Sequence, residues 1–174
     1  MKPWSVLLAC LATACATMEM PEGEPKAKAE LLDGKGQPVG TAILAQGPRV
    51  VEMLLRVWTL APGPHGLHIH SVGRCEPPDF LSSGGHFNPH GKRHGLKNPL
   101  GPHAGDLRNL IVGPDGRATS RYVLPYVTLE TTGMDSLFRG EGTALVVHID
   151  DDDDLTDPIG NTGARIACGV IRRR

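Results

Sequence analysis

The stretch "HGLHIHSVGRC", His65 to Cys75, sets three histidines within six residues and closes on a cysteine. Side chains alternate along a strand, so Leu67 and Ile69 point one way and His68 and His70 the other. Two imidazoles then converge on one side, either towards water or towards an ion, and neutral imidazole pairs suit copper and zinc.

Around this stretch the chain reads as a succession of short strands. "AELLD", "PVGTAILA" and "RVVEMLLRVWTL" are separated by "GKGQ" and "QGP", and "APGPHG" leads into "GLHIH". "LRNLIV" and "ATSRYVL" flank the turn "GPDGR", and "TALVVHI" and "ARIACGVI" supply two late β-branched runs. That makes about eight strands, with no helical periodicity sustained over three turns. The expected fold is all-β, an antiparallel barrel or sandwich. The 22 glycines and 15 prolines agree with many short connections, and 40% hydrophobic residues argue against disorder. A length of 174 residues fits one domain and a leader.

The segment from His70 to Asp106 breaks the pattern. It is long, holds no convincing strand and carries His86, His90, His94 and His103 among glycines. A loop of that size is uncommon unless something orders it. His148, on "ALVVHID", adds another imidazole facing away from the alternating apolar residues. Three imidazoles and a carboxylate make a closed set for zinc, and an all-imidazole set suits copper.

The N-terminus reads as an address. Lys2 precedes an apolar run, Val6 to Ala16, too short to span a bilayer but suited to a signal peptide over residues 1–16, followed by a linker over 17–25 and the domain over 26–174. "LATAC" puts Cys15 where a lipoprotein signal carries its acylated cysteine. The expected location is outside the cytoplasm, in the periplasm, either soluble or anchored to a membrane through a lipid on Cys15. Cys75 and Cys168 remain in the domain, as one disulfide closing a long loop or as two buried thiols. A formal net charge of −1 gives no reason to expect nucleic acid or an anionic membrane surface as partner, and Arg172 to Arg174 read as a solvated tail too short to change this.

Five ordered motifs, "HGLHIH", "GGHFNPHGKRHG", "GPHAGDL", "LVVHIDD" and "GNTGARIACGVI", resemble those of the copper/zinc superoxide dismutases over roughly residues 26 to 171. The resemblance implies an eight-stranded Greek-key β-barrel with long metal-binding and active-site loops, one copper and one zinc per chain, and superoxide as substrate. It implies copper binding by His68, His70, His86 and His148, and zinc binding by His86, His94, His103 and Asp106, with His86 bridging the two ions. By the same resemblance Cys75 pairs with Cys168, Arg165 docks the anionic substrate, and Asp152 links the two metal sites from outside. Five neighbouring aspartates, 150 to 154, compete for that last role.

The short interval from His70 to Cys75 is similar to exported bacterial members, while the spacing of the zinc set is similar to eukaryotic ones. The resemblance is compatible with a homodimer or a monomer and assigns no interface. His65 and His90 stand outside the implied ligand sets, facing solvent or supporting a ligand. Ile159 replaces a threonine of many eukaryotic members. The rival reading is a non-enzymatic periplasmic copper-binding or copper-delivery protein, which would need neither a bridge, a full zinc set nor Arg165.

Overall fold

The computed structural model describes residues 25–174. The leader, the linker up to residue 24 and Cys15 lie outside the described residues. The strands are β1 (Pro25–Asp33), β2 (Pro38–Gln46), β3 (Val51–Val57), β4 (Gly63–His70), β5 (Asp106–Val112), β6 (Ala118–Leu124), β7 (Ala144–His148), β8 (Arg165–Val170) and β9 (Arg172–Arg173). A single 3-10 turn, Leu81–Ser83, is the only helix among the described residues. None of those residues forms a helix long and apolar enough to cross a membrane.

Turn chemistry starts the fold. Asp33 accepts the backbone N–H groups of Lys35 and Gln37 at 2.9 and 2.8 Å, closing the β1–β2 hairpin, and Asp115 accepts that of Arg117 at 3.1 Å between β5 and β6. The strands then pair in the order β5-β4-β7-β8-β1-β2-β3-β6. Because β3 pairs with β6 while β4 pairs with β5 and β7, the connections cross in Greek-key fashion. All pairings are antiparallel, and the outer strands β5 and β6 approach each other. There Arg108 lies 4.6 Å from the centre of the Tyr122 ring and donates to the Arg121 carbonyl, so the barrel is nearly closed.

The interior follows the period-2 pattern. Leu31, Leu44, Met53, Leu55, Leu67, Ile69, Leu110, Leu124 and Leu145 are fully or almost fully buried in one cluster. Each such side chain contributes roughly 1.5–3 kcal/mol relative to exposure. On β4 the opposite face is buried as well, with His68 at 0% and His70 at 1% exposure. Loops cover these histidines, so the strand offers them neither core nor water. The C-terminal arginines differ from the solvated tail expected of them: they remain exposed, but Arg172 and Arg173 pair with Lys28 and Ala27 of β1.

Candidate metal centre

The long segment between β4 and β5 is stitched to β4 through His86. His70 and His86 form an isolated bridge, the Phe87 N–H donates to the Ile69 carbonyl at 2.8 Å, and the Ile69 N–H donates to the Gly105 carbonyl at 2.9 Å. This places the His86 ring between the strand histidines and the rest of the loop.

On the strand side, His68, His70, His86 and His148 bring one ligand atom each within 4.8 Å of one another, all buried. Their outer nitrogens are taken. Nε2 of His68 meets Asp152 at 2.6 Å, Nδ1 of His70 meets the Gly84 carbonyl at 2.9 Å, and Nδ1 of His148 meets the Gly163 carbonyl at 3.2 Å. Since carboxylate and carbonyl oxygens only accept, each of those nitrogens carries the proton and the other keeps its lone pair. The lone pairs face inwards, with Nε2 of His70 and His148 3.4 Å apart. Nδ1 of His68 and Nε2 of His86 are buried with no hydrogen-bond partner, an expensive arrangement unless something binds them.

On the loop side, Oδ1 of Asp106 lies 3.0, 3.1 and 3.3 Å from Nδ1 of His86, His94 and His103, and His86 and His103 are 3.4 Å apart at the same atoms. A tetrahedron with ligand bonds near 2.0–2.1 Å has edges of about 3.3 Å, so this spacing fits zinc. His68 also falls within 4.8 Å of His86, His94 and Asp106. Its ring turns its protonated nitrogen to Asp152, however, whereas Nδ1 of His103 points at the Asp106 carboxylate. The second oxygen of Asp106 accepts the backbone N–H groups of Gly95 and His103, both at 2.9 Å, which fixes the carboxylate plane. His86 thus turns one ring nitrogen to each set.

Asp152 joins the halves. Its two oxygens meet Nε2 of His68 at 2.6 Å and Nε2 of His94 at 3.0 Å. Of the five aspartates it alone is buried, at 3% exposure. Asn109 on β5 holds it by both backbone groups, accepting its N–H at 2.8 Å and donating to its carbonyl at 2.9 Å. Gly160 makes the close approach feasible, because a Cβ there would fall on the Asp152 carboxylate and the His94 ring. Two further clamps join the loops: Asp154 pairs with Lys97 at 2.9 Å, and Asp157 accepts the His94 backbone N–H at 2.7 Å and Arg93 at 2.9 Å.

Burial, reinforced by neighbouring imidazoles, lowers the pKa of His86 to about 4 and of His148 to about 3, and puts His70 well below its usual value. These rings are neutral at pH 7, so each offers a single ion one lone pair without prior loss of a proton, whereas holding ions at both nitrogens of His86 would require its remaining ring proton to leave. His94 behaves oppositely in the metal-free chain. Burial lowers its pKa, but hydrogen bonds and charge from Asp106 and Asp152 outweigh it and raise the value to about 10. Asp106 and Asp152 are held well below the usual carboxylate range, since their histidine partners outweigh the effect of burial.

Arg165, at the start of β8, donates to the Phe80 and Gly84 carbonyls, each at 2.8 Å, and to the Ser83 hydroxyl at 3.0 Å. It shares the Gly84 carbonyl with His70, so the guanidinium is tied to the strand-side set. The segment that anchors it is held to β8 by the Cys75–Cys168 disulfide, which settles the pairing against free thiols. His65 is buried between two carbonyls, of His148 at 2.8 Å and Ala61 at 2.9 Å, supporting a ligand's backbone. His90 is half exposed and pairs with Asp135 at 2.6 Å. Asn109, Ser83, Thr162 and Asp157 were not singled out in the sequence; the hydroxyl of Thr162 lies 3.1 Å from Nδ1 of His148.

The sequence profile of copper/zinc superoxide dismutase (SODC) matches residues 39–171. The chain is 42% identical over 170 residues to superoxide dismutase [Cu-Zn] 1 of Aquifex aeolicus (strain VF5), covering 97% of this chain and 98% of that one. It is 47% identical over 148 residues to superoxide dismutase [Cu-Zn] 2 of the same organism, covering 84% and 86%. Among solved structures, a SOD-like protein from Bacillus subtilis superposes with a TM-score of 0.79 at 38% identity, over 82% of this chain and 96% of that one. The Cu/Zn superoxide dismutase from Brucella abortus gives 0.68 at 28% identity, over 84% and 100%. With that profile match, those relatives and a histidine ring set between two buried clusters able to hold metal in one nearly closed barrel, the chain belongs to the copper/zinc superoxide dismutase family.

Proposed function

We propose that this chain disproportionates superoxide, two superoxide anions and two protons yielding dioxygen and hydrogen peroxide, with His68, His70, His86 and His148 as copper ligands and His86, His94, His103 and Asp106 as zinc ligands. The observation that carries this reading is the pair of buried, unpartnered nitrogens on His68 and His86, together with the two-sided placement of the His86 ring. Bound copper supplies reversible one-electron chemistry, and bound zinc a fixed charge that cannot change oxidation state.

The protein supplies the rest. The Arg165 guanidinium, held by three oxygens beside His70, docks a small anion. Nε2 of His86 holds and releases a proton on the strand side while its Nδ1 stays on the loop side. Asp152 keeps Nε2 of His68 and of His94 protonated and so aims their Nδ1 lone pairs. The exposed Asp150, Asp151 and Asp153 oppose long-range attraction of an anion, so the rate should depend only modestly on salt. The reading includes export by residues 1–16 and action outside the cytoplasm as an antioxidant enzyme, with Cys15 as acyl site.

The test is superoxide decay by fast kinetics on copper- and zinc-loaded protein, on metal-free protein, and with free copper masked by a chelator. Rapid decay that needs bound copper, and that falls at least tenfold in Arg165→Gln, is the expected result. No decay with both ligand sets filled would overturn the enzyme reading in favour of copper storage or delivery.

A further inference from the structure

The β1–β9 ribbon gathers cations in a way the barrel does not require. Ala27 pairs with Arg173 and Lys28 with Arg172, and the Arg174 N–H donates to the Lys26 carbonyl at 3.0 Å. Residues opposite each other in an antiparallel ladder point to the same face. Ala27 is buried on the inner face, so Lys26, Lys28, Arg172 and Arg174 share the outer one, where all four are exposed. Like charges directly opposite each other destabilise a ladder, so Lys28 against Arg172 and Lys26 against Arg174 work against the pairing that creates them.

Neighbouring carboxylates offset this only in part. Glu30 lies 2.8 Å from Lys28 and Glu130 3.8 Å from Lys26, both at exposed positions where pairing is weak. The side chains of Arg172 and Arg174 meet no carboxylate among the described residues. Arg173 turns instead onto Phe138, 5.1 Å from the ring centre. A groove of about 500 Å³ runs beside the ribbon, with Lys28, Arg172 and Arg74 on its walls together with the carboxylates of Glu30 and Glu76; Arg74 is itself paired with Glu141.

We propose that this face binds an anionic phospholipid surface. The occupant follows from where the face lies in the chain: β1, which carries Lys26 and Lys28, begins at Pro25, ten residues beyond Cys15. The choice of lipid over other polyanions rests on the reading of Cys15 as acyl site. Ten residues span at most about 35 Å, so an acyl chain at Cys15 keeps the ribbon close to the bilayer. One acyl chain alone binds weakly and reversibly, and a polybasic patch is the kind of second signal that makes attachment stable. Each cation close to an anionic surface strengthens partitioning about fivefold.

The test is vesicle flotation of the exported, purified protein, with phosphatidylcholine alone and with phosphatidylcholine containing phosphatidylglycerol. Wild-type protein should prefer the anionic vesicles, and added salt should weaken that preference. Arg172→Ser with Arg174→Ser should lower the preference about 25-fold, and Lys26→Ser with Lys28→Ser similarly, while far-ultraviolet dichroism and superoxide decay stay as in wild type. Cys15→Ser should lower binding to both kinds of vesicle and leave the preference intact. If Cys15→Ser changes nothing while the charge variants lose the preference, the basic face stands and the acyl reading fails. An unchanged preference in both charge variants, or no preference in wild type, overturns the proposal. So does retention on dextran sulfate without any preference for anionic vesicles, which would assign the face to soluble polyanions.

Discussion

The two halves of the metal centre are held by different means. His68, His70 and His148 sit on β4 and β7, strands paired in continuous register from Leu67 with Val147 to His70 with Ala144. His94 and His103 sit on a loop with no strand of its own, positioned by Asp106, Asp152, Asp157 and glycines. The strand half is organised by the same backbone bonds that make the barrel. The loop half is organised by charge and cross-links, and it should yield first when either is removed.

The largest expected effect comes from the disulfide. Cys75 and Cys168 are 93 residues apart, and closing a loop of that length stabilises by about 4–5 kcal/mol in the chain-entropy description. Cys75→Ser with Cys168→Ser should lower the urea midpoint accordingly. Hydrogen exchange should quicken across residues 71–84, which anchor Arg165, while the amides of β4 and β7 remain protected. Equal loss of protection in both regions would break the contrast.

A smaller effect is expected from Asp152→Asn, which keeps the shape and removes the charge. Zinc affinity, measured by chelator competition, should fall about 10–100-fold. Copper affinity should fall less, because β4 already orients His68 whereas His94 depends on its partners. Losses of equal size would show that the strand does not preorganise its half.

The smallest effect is a pH dependence of the metal-free chain, and it has opposite signs in the two halves. His70, His86 and His148 have pKa values below that of an unfolded histidine, about 6.5. Their unfolded forms bind protons first, so their contribution is present above pH 6.5 and is lost as pH falls towards about 4 for His86 and about 3 for His148. His94, raised to about 10, contributes fully below pH 6.5 and loses that contribution as pH rises through about 10. Thermal midpoints of metal-free protein should therefore peak near neutrality. A His94→Ala variant should lose the alkaline slope and keep the acid one; loss of the acid slope instead would sink the assignment.

Much of the fold was legible along the chain. Asp33 and Asp115 sit in the turns that their neighbours announced, and Leu67 and Ile69 alternate with His68 and His70 as a strand demands. The proposed ligand sets came only from resemblance to a family, because spacing alone cannot say which of His86, His90, His94 and His103 turn inwards. His90 shows the limit: it sits among the glycines and histidines of the loop yet pairs with Asp135 at the surface. Asn109 and Ser83 carried no signal at all, since each acts on a residue tens of positions away, Asp152 and Arg165.

The sequence by itself determined the period-2 pattern, the turns between strands, and the residue types able to hold two metals, because these depend on local sterics and on side-chain chemistry. Tertiary structure decided which aspartate of five is buried between His68 and His94, which face His86 shows to each set, and that three C-terminal arginines lie beside two lysines of the first strand. Those outcomes depend on distant segments meeting in the nearly closed barrel, where low exposure makes each unpaired lone pair or charge costly enough to select one arrangement.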